Sequence, residues 1–180
     1  MSDRRLSLIL ATGGESVVKA AYSSGTPALG VGAGNVPVFI ERSAEIPFAV
    51  EQIFLSKTFD NGTVCASEQA LVVEKEISSA VRAEFLKRKA YFLKPAEIAA
   101  LEKCAYDSEK RVMNADVIGQ PVSKIAEMAG LKDVPKDASL LVAELGGIGE
   151  GHPLSSEILA PILAYYEADS FERAVSLCID

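Results

Sequence analysis

Histidine is almost missing from the sequence: His152 stands alone in a chain of 180 residues. A catalytic metal needs several ligands converging on one point, so three-histidine zinc sites and paired-histidine zincin motifs are excluded, and no metal is expected. Cysteine is nearly as scarce. Cys65, Cys104 and Cys178 are 39 and 74 residues apart and odd in number, which fits neither a disulfide framework nor a zinc ribbon and suits a reducing cytoplasm. Basic runs are absent as well. Lys and Arg number 18 against 25 Asp and Glu, for a net charge of −7, and no five-residue stretch is basic enough to track phosphates, so nucleic acid is not an expected partner.

The longest charge-free stretch, Ala20 to Ile40, has 21 residues but carries four glycines and two prolines. It has the length of a membrane span without the composition of one, and no membrane partner is expected. The first residues place arginines before an apolar run too short for a signal peptide, so no targeting segment is read. What the chain has in quantity is apolar residues, at 49% with a mean hydropathy of +0.20. That is expected where parallel strands are covered by helices on both faces. The class is α/β.

The pattern along the chain supports this. Leu6 to Leu10 is a short apolar run, Gly13-Gly14 a turn, and Glu15 to Tyr22 a helix with an acid in its first turn. Pro27–Val31 and Val36–Ile40 are apolar runs around a glycine-rich bend, followed by a helix over Glu45–Phe59 that Asp60-Asn61-Gly62 stops. Gln69–Val73 reads as a strand. Helices are expected over Ile77–Lys89, Pro95–Arg111 and Pro121–Gly130, strands over Leu140–Leu145 and Ala160–Tyr165, and a closing helix over Ser170–Ile179. The chain opens close to a core strand and ends inside a periodic helix, which suggests a segment of a longer protein.

Cys65 lies between a helix that ends at a glycine and a strand that starts a few residues later, the kind of loop on which reactive groups are mounted. By position alone it reads more readily as a small buried hydrophobe than as a nucleophile. Its neighbourhood changes that. Thr58-Phe-Asp-Asn-Gly-Thr-Val-Cys-Ala-Ser-Glu-Gln69, Leu8-Ile-Leu-Ala-Thr-Gly-Gly14, Val18-Lys-Ala-Ala-Tyr-Ser-Ser-Gly25, Gly30-Val-Gly-Ala-Gly-Asn35 and Ser156-Glu-Ile-Leu-Ala-Pro161 together resemble the CoA-acylating aldehyde dehydrogenases. The aldehyde-oxidising half of bifunctional alcohol/aldehyde dehydrogenases is similar too.

The resemblance implies an aldehyde-dehydrogenase-like catalytic domain, partial, with three layers around a mainly parallel sheet. Residues 1–33 would be the tail of the cofactor-binding domain and 34–180 the nucleophile-bearing domain. It implies that Cys65 takes up a small aldehyde as a thiohemiacetal, that hydride passes to NAD or NADP, and that coenzyme A takes the acyl group from the thioester. Glu157 matches the carboxylate that holds the nicotinamide ribose, and Thr12, Gly13 and Gly14 precede a helix that could face the pyrophosphate. Hydrolytic relatives carry a glutamate before a glycine pair to activate water. Here no acid occurs between Glu15 and Glu41, which favours thiol over water as acyl acceptor.

Gly30, Gly32 and Gly34 do not form a dinucleotide fingerprint and are expected to pack closely near the catalytic loop. The family's upstream oxyanion asparagine has no counterpart here, so the chain alone is expected to turn over little. A homo-oligomer and a cytoplasmic or microcompartment location are further implications. Two alternatives remain at this point: a catalytically silent structural or assembly segment, and a thioesterase built on Cys65 and His152.

Overall fold

The computed structural model describes residues 1–107, 109, 112–149 and 151–179. Two compact units are present, Met1–Gly34 and Asn35–Asp180. In the first, β1 (Ile9–Thr12) and β2 (Ala28–Val31) pair in parallel, linked by α1 (Glu15–Tyr22). Ile9 and Ala11 point into a small cluster with Ala21, while Leu10, Leu29 and Val31 on the other face are exposed. The strand begins later than the apolar run suggested. Leu6 and Leu8 lie outside it and are exposed, because only the register over Ile9–Thr12 has a partner strand to bond.

The second unit is built on five parallel strands in the order β3 (Pro37–Ile40), β4 (Ala70–Glu74), β9 (Ile162–Ala168), β8 (Leu140–Glu144), β5 (Ala90–Phe92). The helices are α2 (Ile46–Thr58), α3 (Ser78–Lys87), α4 (Pro95–Ala105), α5 (Val122–Ala129) and α6 (Phe171–Ile179). Because side chains alternate along a strand, each central strand feeds two cores. Leu71 and Val73 of β4, Leu163 and Tyr165 of β9, and Leu140 and Val142 of β8 point to the side of α2 and α3. Val72, Ala164 and Tyr166 meet α6. Leu141 and Ala143 meet α4 and α5. The result is the expected α/β three-layer arrangement with a parallel sheet.

Two elements depart from the periodicity. The helix expected over Pro95–Arg111 stops at Ala105, and the chain turns into β6 (Tyr106–Asp107), antiparallel to β7 (Val112–Met113); Arg111 lies outside the described residues. Asn114 accounts for the stop. Its Nδ2 donates to the Cys104 carbonyl at 2.8 Å and its backbone N–H to the Ala105 carbonyl at 2.9 Å, taking over carbonyls at the end of the helix. β5 falls in what the sequence presents as an interhelical link. Lys89, at φ 65, ends the preceding helix in the left-handed region, and the next three residues join the sheet edge.

Glu97 anchors the start of α4 by accepting the Lys94 N–H at 2.8 Å, with Pro95 in the first turn. Among the described residues no helix is long and apolar enough to cross a membrane.

Leu71 is 0% exposed at the centre of the sheet, whereas Leu55 on the outer side of α2 is 56% exposed. Leu71→Ala is expected to cost about 2–5 kcal/mol in urea unfolding. Leu55→Ala should stay within about 0.5 kcal/mol. Equal costs would mean that the α2 side of the sheet is not the tightly packed core described.

Candidate functional site

Cys65 is carried by a loop whose two ends are tightly held. After α2 the backbone passes through three successive left-handed residues, Asp60 (φ 48), Asn61 (φ 50) and Gly62 (φ 74). An ordinary residue loses about 1–2 kcal/mol there, and Asp and Asn are the side-chain-bearing residues that adopt it most readily. Thr63 locks the turn: its Oγ1 donates to Asp60 Oδ2 at 2.6 Å and its N–H to the Asp60 carbonyl at 3.3 Å. Gly62 is required for a second reason. A Cβ at that position would lie 2.4 Å from the Ala160 carbonyl oxygen.

From Val64 to Ala66 the loop is exposed, including the Cys65 thiol. The Ser67 N–H closes a turn back onto the Val64 carbonyl at 2.9 Å, and the Gln69 N–H donates to the Val36 carbonyl at 2.8 Å. Cys104 and Cys178 are only half-buried, and burial pushes both thiols up. Cys65 is therefore the thiol most open to an electrophile.

The neighbouring segment is Ser156–Pro161, which leads into β9. Glu157 is half-buried, and Ile158 and Ala160 are buried. Since β4 and β9 are adjacent and parallel, the loops that precede them lie at the same, amino edge of the sheet. Asn35, just ahead of β3, joins them by donating from Nδ2 to the Ser155 carbonyl at 2.8 Å. Ligands of open parallel sheets more often sit at the carboxyl ends of strands, the edge opposite to these loops.

The residue that connects the two loops is Lys57, which the sequence reading did not single out. Its side chain is 0% exposed. Nζ donates to Gln69 Oε1 at 2.7 Å and to the Ile158 carbonyl at 3.0 Å, and Gln69 Oε1 also accepts the Ile158 N–H at 3.2 Å. Burial pulls the lysine down to about 7, against the attraction of Glu68 and Glu157. Ser67 Oγ, Glu68 Oε2 and Gln69 Nε2 are buried with no hydrogen-bond partner among the described residues. A signal for Lys57 was available. It shares the inward face of α2 with Val50 and Ile53, at helical spacings of four and seven, where a charge is out of place.

The other expected cofactor residues belong to the first unit. Thr12 ends β1 and is exposed; the Gly13 N–H donates to the Val31 carbonyl at 3.1 Å. Gly14 precedes α1 with no side-chain cap, and a Cβ there would meet nothing within 4 Å. Gly30 packs closely against α1: a Cβ would lie 2.7 Å from Val18 Cγ1, and its N–H donates to the Tyr22 hydroxyl at 3.0 Å. Gly32 and Gly34 have no such contact, so the expected close packing does not extend to them.

His152 lines a cleft of about 310 Å³ beside Glu102 of α4 and Glu144 at the carboxyl end of β8. No hydrogen bond joins it to Cys65 among the described residues. Among those residues no cluster of three or more His, Cys, Asp or Glu could hold a metal.

The chain is 46% identical over 176 residues to an aldehyde-alcohol dehydrogenase of Clostridium acetobutylicum, covering 98% of this chain and 20% of that protein. An acetylating aldehyde dehydrogenase from Geobacillus thermoglucosidasius superposes with a TM-score of 0.92 at 47% identity, over 98% of this chain and 38% of that one. A probable aldehyde dehydrogenase from Listeria monocytogenes gives a TM-score of 0.94 at 52% identity, over 99% and 39%. The chain belongs to the acylating aldehyde dehydrogenase family. It spans about a fifth of the length of the curated aldehyde-alcohol dehydrogenases it matches and about two fifths of the solved chains, so its fold corresponds to part of theirs. No protein-family model matches it.

Gly62 gives a direct test of how firmly the loop is set. Gly62→Ala combines left-handed strain of about 1–2 kcal/mol with collision on Ala160, whereas Gly130→Ala, at φ 68 with open space around it, carries the strain alone. Urea unfolding should show Gly62→Ala as clearly the more destabilised. Equal losses would mean that the two loops are not in contact.

Proposed function

We propose that this chain carries the acyl-accepting thiol of an enzyme that oxidises a small aldehyde to its coenzyme A thioester with a nicotinamide dinucleotide as oxidant. The observation that carries this is Cys65: an exposed thiol at the crest of a loop fixed at both ends, beside the segment that presents Glu157. On this reading the family's chemistry is carried by this chain's own residues.

Cys65 Sγ adds to the aldehyde carbon while its proton passes to the carbonyl oxygen, giving a thiohemiacetal whose hydroxyl proton is released when the carbon is oxidised. The dinucleotide, when bound, supplies a hydride acceptor for the oxidation of that carbon. Cys65 then holds the acyl group as a thioester. The thiol of coenzyme A attacks the thioester carbonyl, the Cys65–acyl bond breaks, and Cys65 regains its thiol. The overall balance is aldehyde, oxidised dinucleotide and coenzyme A giving acyl-CoA, reduced dinucleotide and a proton.

The residues present fit a dinucleotide in two places. Glu157 offers a half-buried carboxylate suited to ribose hydroxyls, and the open cradle at Gly14 leaves the start of α1 accessible to a pyrophosphate. Relatives support this chemistry. A Rhodopseudomonas palustris propionaldehyde dehydrogenase, 26% identical with a TM-score of 0.86, has bound CoA and an acylated cysteine. An engineered glycolyl-CoA reductase, 27% identical with the same score, has bound NADP+. The free thiols fit a reducing compartment.

Acyl transfer can be tested without the oxidation step, because thioester exchange runs in both directions. Incubating the 180-residue chain with acetyl-CoA should place one acetyl group on Cys65, read by peptide mass spectrometry, and Cys65→Ser should abolish it. Acetylation spread over Cys104 and Cys178 as well would reduce Cys65 to one surface thiol among three.

Glu157 has its own expected outcome. In a form active with aldehyde, Glu157→Gln should weaken dinucleotide handling by about 1.5–3 kcal/mol, the range for hydrogen bonds to a charged group, seen as a raised Michaelis constant for NAD and slower hydride transfer. Unchanged kinetics would make Glu157 a loop residue with no part in the site.

A further inference from the structure

The reaction as described leaves one buried charge without a role. Lys57 points inward from α2, and its amine bonds one acceptor on each of the two loops that carry the proposed functional residues. Gln69 closes the loop of Cys65, and Ile158 directly follows Glu157. Deleting the amine would not strip either acceptor bare. Gln69 Oε1 keeps the Ile158 N–H, and the Ile158 carbonyl keeps the Ala160 N–H at 2.9 Å. The lysine is therefore not needed to satisfy these groups, but its amine bonds the two loops at once.

We propose that Lys57 is a positioning residue, bracing the Cys65 loop against the Glu157 loop so that nucleophile and ribose clamp keep one relative position. This deepens the acyl-transfer reading of the site and rests on it. The Gly62 contact with Ala160 joins the same two segments, and Gly119 lies against both: its N–H donates to the Leu159 carbonyl at 3.0 Å, and a Cβ there would lie 3.0 Å from Thr63 Cγ2.

The brace responds to pH. Glu68 on the Cys65 loop and Glu157 on the facing loop are the carboxylates acting on Lys57, and burial outweighs both, pulling the amine to about 7 from the ordinary 10.5. If the loops part, the amine meets water and its ordinary affinity for a proton returns. The open form then binds the proton more tightly than the closed one. By linkage, closure is favoured progressively as pH rises from about 7 toward 10.5, and that advantage is gone once pH has fallen to about 7. The device therefore tightens between neutral and alkaline pH and changes little below about 7.

Hydrogen exchange on the chain reads this without aldehyde, dinucleotide or coenzyme A. Protection of 62–69 and 157–160, corrected for intrinsic exchange, should rise together by about tenfold or more between pH 6 and pH 9, while β8 changes far less. Lys57→Met should remove the pH dependence from both segments and leave them less protected at pH 9. A flat wild-type profile, a response in only one segment, or an equal response in β8 would overturn the brace. If Lys57→Met does not fold, the wild-type profile alone decides. Cys65 acetylation with a flat exchange profile sinks the brace and spares the function; coupled exchange without acetylation does the reverse.

Discussion

The parallel ladder between β4 and β9 runs from Ala70 opposite Ala164 to Glu74 opposite Ala168, and the candidate site depends on it. Both strands are buried along nearly their whole length, between helices that cover each face. Because the strands run in the same direction, the segments ahead of them must emerge at the same edge. One of those segments carries Cys65 and the other Glu157, residues separated by most of the second unit in sequence. The packing of α2 and α3 against Leu71, Leu163 and Tyr165 thus acts on function by fixing where two loops begin.

Adjacent loops still need a fixed height and angle, and here the chain accepts local cost. Asp60 and Asn61 are held left-handed beside Gly62, where strain persists only if the surroundings impose it. The surroundings do so: Thr63 ties back to Asp60, and the Ala160 carbonyl presses on the one residue without a side chain. The turn redirects the backbone at the end of α2, so that Val64–Ala66 stand in solvent while Ser67 and Gln69 return to the interior. An exposed thiol on a rigid base is the consequence.

Much of this was legible in the residues. The apolar runs that became β3, β4, β8 and β9 were visible because strands buried on both faces leave few polar positions, and the Asp60-Asn61-Gly62 stop was visible because those residue types tolerate the left-handed region. β5 and the end of α4 were not. The first is a three-residue edge strand too short to show a period, and the second is set by Asn114, a partner nine residues past Ala105 whose bonds replace those of a continuing helix. The nucleophile and ribose residues were proposed from motif resemblance, and the structure adds their surroundings, including which glycines pack and where. His152 looked available in one dimension and is placed beside Glu102 and Glu144 in three.

Lys57 shows what a binary reading of polarity leaves out. A methionine at that position would fill the same space on the inner face of α2 without the desolvation that an amine suffers, and exchanging buried charges for apolar residues of similar volume is often neutral or stabilising. Stability by itself therefore gives no reason for a lysine. What the amine provides is direction: an apolar side chain packs against whatever approaches, whereas Nζ is satisfied only when Gln69 Oε1 and the Ile158 carbonyl stand at hydrogen-bonding distance together. With Glu68 Oε2 and Gln69 Nε2 lacking partners among the described residues, any slip between the loops would leave a further buried polar group unbonded, at about 1–3 kcal/mol each. On the proposed function, a reacting carbon on Cys65 would have to stay in register with a cofactor held in part by Glu157, and that penalty would keep the register narrow.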